Sequence, residues 1–130
     1  MTDDELTGKI LGACFKVHTV LGIGLMERVY QVALAYELRK QGLTVEMEVP
    51  VPVHYEGVKL EVGFRLDMLV ERRVILELKA VDAIHPAHKK QLTNYLRLTG
   101  LRVGLLLNFN TVSLKDQITR IVNGYEQKTL

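Results

Sequence analysis

The segment Leu66-Asp67-Met68-Leu69-Val70-Glu71-Arg72-Arg73-Val74-Ile75-Leu76-Glu77-Leu78-Lys79-Ala80-Val81 decides how the chain folds. Two apolar runs flank a charged triplet, which reads as an antiparallel hairpin turning at Glu71-Arg72-Arg73. Directly opposed residues in such a pair project to the same face, so the loop length determines which side chains meet. A three-residue loop sets Val70 opposite Val74 and Asp67 opposite Glu77. One face then carries Leu66, Met68, Val70, Val74, Leu76, Leu78 and Ala80, all apolar. The other carries Arg65, Asp67, Leu69, Ile75, Glu77, Lys79 and Val81, with every charge collected on it. A two-residue loop would mix both classes on both faces, so the clean separation predicts the three-residue register.

Charges within so apolar a strand require a cause, because an unpaired carboxylate or ammonium taken out of water costs on the order of several kcal/mol. Such a strand holds a metal ion or makes an ion pair. Two carboxylates and a lysine on neighbouring strands also suit metal-assisted phosphodiester hydrolysis, with hard oxygen ligands for Mg²⁺ and a cation beside the attacking water. The plain alternative for Glu77 and Lys79 is a structural ion pair. A second copy of the spacing, Glu126-Gln127-Lys128, shows how easily the triplet arises.

Upstream of the hairpin, Leu6, Ile10, Ala13, Cys14, Val17 and Leu21 recur at helical steps behind acidic Asp3, Asp4 and Glu5, predicting a first helix over 3–21. Gly22-Ile23-Gly24 breaks it, and a second helix runs from about Leu25 to Gln41 before Gly42. Leu43 to Tyr55 alternates as a strand in which Pro50 and Pro52 mark an edge or a bend, and Glu56-Gly57 turns it into the strand Val58 to Val70. Downstream, Pro86 opens a helix that Gly100 ends, Leu101 to Phe109 is a further strand, and Leu114 to about Asn123 reads as a closing helix. The order ααβββαβα predicts an α/β fold, a three-layer α/β/α sandwich with a mixed sheet, as one domain over residues 1–130.

Composition narrows the function classes less than position does. The chain has 130 residues, 48% hydrophobic and 25% charged, with a net charge of +2. That surface permits nucleic acid without demanding it. One domain of this size must meet a bulky substrate with loops or with a second copy, so a homodimer is expected. The lone Cys14 excludes an internal disulfide and suggests a reducing compartment. An acidic amino terminus unlike a signal peptide, and no apolar run of roughly 18 to 20 residues, lead to a cytoplasmic expectation with no membrane. There is no GxSxG, no phosphate-binding glycine loop and no zinc-ligand spacing.

On the helix after the hairpin, Gln91 and Tyr95 share one face, with His88 a turn earlier and Lys89 and Lys90 beside them. They could hydrogen-bond a phosphate, or they could be the solvated face of an ordinary amphipathic helix. Asp67, Glu77-Leu78-Lys79 and the QxxxY pair Gln91 and Tyr95, in the order strand, strand, helix, resemble the PD-(D/E)XK nuclease superfamily, especially its RecB-like branch. Gly24-Leu25-Met26-Glu27-Arg28-Val29-Tyr30, preceded by Val17-His18 and Leu21-Gly22, resembles the small bacterial proteins named for a GxxExxY motif within that superfamily. Leu66 stands where the name-giving proline would be, and Ile23 where the small family often has proline.

The resemblance implies a restriction-endonuclease-like core and a Mg²⁺-dependent nuclease acting on DNA, with Mn²⁺ as substitute. It implies that Asp67, Glu77 and the Leu78 carbonyl hold the metal, that Glu27 completes the site, and that Lys79 positions or activates water, with Gln91 assisting. Tyr95, Tyr30, His18, Lys89 and Lys90 are the candidate substrate contacts. Tyr30 could equally fill a helix–sheet interface, His18 could be structural, and the lysines are surface charges unless they surround one groove. The alternative function is a catalytically silent nucleic-acid-binding or regulatory module, or a subunit of a larger assembly, that keeps the nuclease fold.

Overall fold

The computed structural model describes residues 1–123 and 125–128. Along the chain lie α1 (Asp3–Leu21), α2 (Glu27–Lys40), β1 (Val45–Tyr55), β2 (Val58–Val70), β3 (Val74–Lys79), α3 (Pro86–Thr99) and β4 (Val103–Asn108). A 3-10 turn (Leu114–Gln117), β5 (Ile118–Val122) and β6 (Tyr125–Lys128) follow. Thr2 caps α1 by accepting from the Glu5 N–H at 3.1 Å, and three acids occupy the first turn, where the helix dipole favours them. Gly22 and Gly24 adopt φ of 73° and 92°, a region open to glycine at little cost, and so turn the chain sharply from α1 into α2.

Among the described residues the sheet has six strands in the order β1-β2-β3-β4-β5-β6. β3 and β4 run parallel, joined through α3, and every other neighbouring pair is antiparallel, so the sheet is mixed. α1 and α2 cover one face over a core that includes Met68, Val70, Val74, Leu76 and Leu78. α3 covers the other through Leu92 and Leu96 against Ile75, Leu69 and Leu106. This is the expected three-layer α/β/α sandwich. The expected hairpin register also holds over its paired part, with Val70 opposite Val74, Leu69 opposite Ile75 and Met68 opposite Leu76.

Two expectations need correction. The closing helix is absent: Leu114–Gln117 makes a single 3-10 turn, and 118–122 is β5, paired with β4 from Leu107↔Ile118 to Val103↔Val122. A helix there would leave the backbone of β4 unpaired along one side, and Ile118 and Ile121 bury on opposite faces of the sheet, as a period of two requires. Leu66, expected beside Met68, packs instead with Leu69 and Ile75 under α3. The β1–β2 ladder skips Glu48 and Asp67, and Glu48 has φ of 53°, so the alternation of faces is interrupted there. No helix among the described residues is long and apolar enough to cross a membrane.

Candidate metal and catalytic site

Pairing between β2 and β3 ends at Met68 and Leu76, and Asp67 and Glu77 are the next residues outward. Backbone donors that no longer face a partner strand need acceptors, and the two acids supply them. Glu77 Oε1 accepts from the Asp67 N–H at 3.2 Å, and Asp67 Oδ2 accepts from the Leu78 N–H at 3.0 Å. Each carboxylate is thus held by the other's strand. Glu77 is only 4% exposed. Its carboxyl pKa is pushed up to about 9, first by burial and then by the adjacent Asp67 charge and hydrogen bond, while Lys79 pulls the other way. Near neutral pH the pair therefore retains one proton between two groups, as close like charges do.

Lys79 is the last residue of β3, half-buried, two positions beyond Glu77. Its carbonyl accepts from the Phe109 N–H at 2.9 Å. The fully buried Asn108, opposite Lys79 in the parallel ladder, grips the chain just past it: its Oδ1 accepts from the Val81 N–H at 3.1 Å and its Nδ2 donates to the Val81 carbonyl at 3.0 Å. The end of the lysine-bearing strand is thereby fixed. A polar residue closing the apolar run Val103–Asn108 was the sequence signal for that role.

Glu27 opens α2 half-buried, with its pKa raised by burial, then by Asp67, with Lys79 opposing and Glu48 adding. It stands within electrostatic reach of the acid pair. Even so, among the described residues no three His, Cys, Asp or Glu side chains gather closely enough to form a cation cage, so the core is two carboxylates with Glu27 beside them. From the α3 side, Tyr95 stacks on Phe64 with centroids 4.3 Å apart and planes 4° from parallel. Its phenol pKa is raised by burial, then by Glu77 and Asp67. Phe64, which sequence reasoning did not single out, thus sets the orientation of that ring. Gln91 is exposed one turn before Tyr95. His88 uses Nδ1 to accept from the His85 N–H at 3.1 Å, and its pKa is lowered by burial, then by Lys79 and His85.

Other expected substrate contacts lie elsewhere. Tyr30 is fully buried, donates to the Gly22 carbonyl at 2.6 Å, accepts from the Leu25 N–H at 3.3 Å and stacks on Phe109. With no exposed surface and its hydroxyl satisfied, it shapes the turn before Glu27 and cannot touch a substrate. His18 Nε2 donates to the Thr111 carbonyl at 2.7 Å, tying α1 to the loop after β4. Lys89 lines a separate cavity of about 410 Å³ with Asp82, Lys115 and Gln117, and Lys90 is exposed.

The donor chemistry suits a hard divalent cation. Two carboxylates, the Leu78 carbonyl between Glu77 and Lys79 in sequence, and a buried pair that otherwise keeps a proton all favour a dication as counter-charge. A three-layer domain with paired acids and a lysine where two central strands separate is the arrangement of a restriction-endonuclease-like core. The model of the PD-(D/E)XK nuclease superfamily matches residues 4–121, and the chain belongs to that superfamily. The crystal structure of SSO0001 is similar over 78% of this chain at 20% identity, with a TM-score of 0.50. That similarity speaks for the fold, and the chain spans 50% of the length of that protein. No curated protein matches the chain.

Proposed function

We propose that this chain is a divalent-metal-dependent nuclease that hydrolyses phosphodiester bonds in DNA, and that it falls within the GxxExxY branch of its superfamily. The observation carrying this reading is the reciprocal hold of Asp67 and Glu77 on each other's strands, with Lys79 on the same strand as Glu77. Asp67, Glu77 and the Leu78 carbonyl would hold Mg²⁺ or Mn²⁺, with Glu27 adding negative charge beside them. When bound, that ion supplies Lewis acidity toward the phosphate and acidifies water. Lys79 stabilises negative charge gathering on the reacting oxygens, and Tyr95 and Gln91 offer hydrogen bonds to the phosphate from α3.

The test pairs Mn²⁺ titration calorimetry with cleavage of linear, single-stranded and branched DNA. Asp67→Ala is expected to abolish Mn²⁺ binding. Lys79→Ala is expected to keep Mn²⁺ binding while lowering the cleavage rate by roughly 10²- to 10³-fold, the scale of removing one charge-stabilising donor. Equal cleavage by Lys79→Ala refutes the mechanism. Mn²⁺ binding indifferent to Asp67→Ala favours a binding module that keeps only the fold.

A further inference from the structure

α3 joins two parallel strands, so it runs antiparallel to β3 and its first turn lies beside the end of β3 that carries Lys79. Two side chains fix how the helix is rotated. Leu92 sits over Gly104 of β4, so close that a Cβ on that glycine would come within 2.8 Å of its Cδ1. Tyr95 stacks on Phe64 of β2 and feels the charges of Glu77 and Asp67. The line of α3 through Tyr95 therefore faces β2 and the acid pair. At about 100° per residue, His88 falls within about 20° of that line, almost two turns nearer the start of the helix. It is half-buried there.

The His88 ring is also held in one chemical state. Its Nδ1 accepts from the His85 N–H at 3.1 Å, so the neutral ring carries its proton on Nε2. Burial, then Lys79 and His85, lower its pKa, and the ring is neutral near pH 7. Among the described residues nothing accepts from that Nε2–H. A fixed donor without an acceptor, near a lysine that can only donate, suits the oxygens of a phosphate. We propose that His88 is a further substrate contact, whose Nε2–H donates to a non-bridging oxygen of the phosphate that Lys79 approaches. The proposal rests on the nuclease reading. The imidazole keeps its proton throughout: it adds a neutral, directed donor to the charge that Lys79 supplies, and the His85 N–H stops the ring from turning over.

Two variants separate this role from helix capping. His88→Asn puts an amide oxygen near the position of Nδ1, so it still accepts from the His85 N–H but has nothing at Nε2. His88→Gln puts an amide N–H near Nε2 and restores the donor. Cleavage of linear, single-stranded and branched DNA in Mn²⁺ is measured beside anisotropy of the same labelled DNAs with Ca²⁺ in place of Mn²⁺, and circular dichroism checks the fold. His88→Asn should keep the fold and Mn²⁺ affinity, weaken DNA binding by roughly tenfold and lower kcat by roughly 10- to 100-fold. His88→Gln should recover most of both losses. Wild-type binding and cleavage in His88→Asn assign His88 to capping and overturn the proposal while leaving the nuclease reading intact. Equal losses in the two variants overturn it as well, because the donor is then not what matters. Wild-type protein that cleaves none of the DNAs refutes the nuclease reading, and binding then decides for His88: a loss in Asn recovered in Gln sustains the phosphate contact, whereas equal binding or none overturns it.

Discussion

Replacing Glu77 with Gln should make the folded state less sensitive to pH. The wild-type carboxyl is held protonated by burial and by the Asp67 charge, with its pKa raised from 4.5 to about 9. When a folded-state pKa is raised, the native form binds the extra proton, so stability is fully present below the unfolded pKa and is lost as pH climbs toward the folded one. Between those two values the loss is about 1.4 kcal/mol per pH unit, or up to roughly 3 kcal/mol from about pH 6 to about pH 8. Gln keeps the shape, can accept from the Asp67 N–H and can donate to the Asp67 carboxylate, so it retains the contacts but not the proton exchange. Urea unfolding in the presence of a chelator at both ends of that range measures the difference. Every other ionisable group is common to both proteins, so the comparison is wild type minus variant. Equal pH slopes for the two proteins would refute the shared-proton account of the pair.

Three further outcomes follow from the packing. Tyr30→Phe keeps the stack on Phe109 but strands the Gly22 carbonyl and the Leu25 N–H, and should cost about 1–3 kcal/mol in urea denaturation. Gly104→Ala would place a methyl group 2.8 Å from Leu92 Cδ1, pushing α3 off β4; a loss of about 1–3 kcal/mol is expected in thermal unfolding. The Cys14 thiol is fully buried with its pKa raised by burial, so it should resist a thiol-specific disulfide reagent in the native protein and react at once in denaturant.

Much of this fold is legible in the chain because it follows short-range periodicities. The hairpin register follows from a period of two and a three-residue loop, and the paired residues obey it. Helix ends follow from Gly22, Pro86 and Gly100, each with a local chemical role. The segment after Ser113 misleads because Leu114, Ile118 and Ile121 are spaced four and three apart, a helical interval. What overrides the spacing is long-range, the unpaired side of β4, although Ile118, Thr119, Ile121 and Val122, all β-branched, offered a strand signal. For the site, the acid pair could be placed from register, whereas the fate of Tyr30 could not. Its hydroxyl partners are backbone groups of a turn whose shape the side-chain pattern does not encode.

The Tyr30 anchor bears on how loss-of-function screens of this protein would be read. Glu27 sits three residues before Tyr30 on the same helix, and the turn that delivers both relies on glycines with left-handed backbones at positions 22 and 24. Under the proposed function, a substitution at Gly24, whose backbone sits at a φ of 92°, would misplace Glu27 and lower activity from outside the acid pair. Genetic saturation alone would then score Gly24, Glu27 and Tyr30 as one indispensable set, although in this structure only Glu27 lies near the acid pair and the other two supply the bend and the peg that place it.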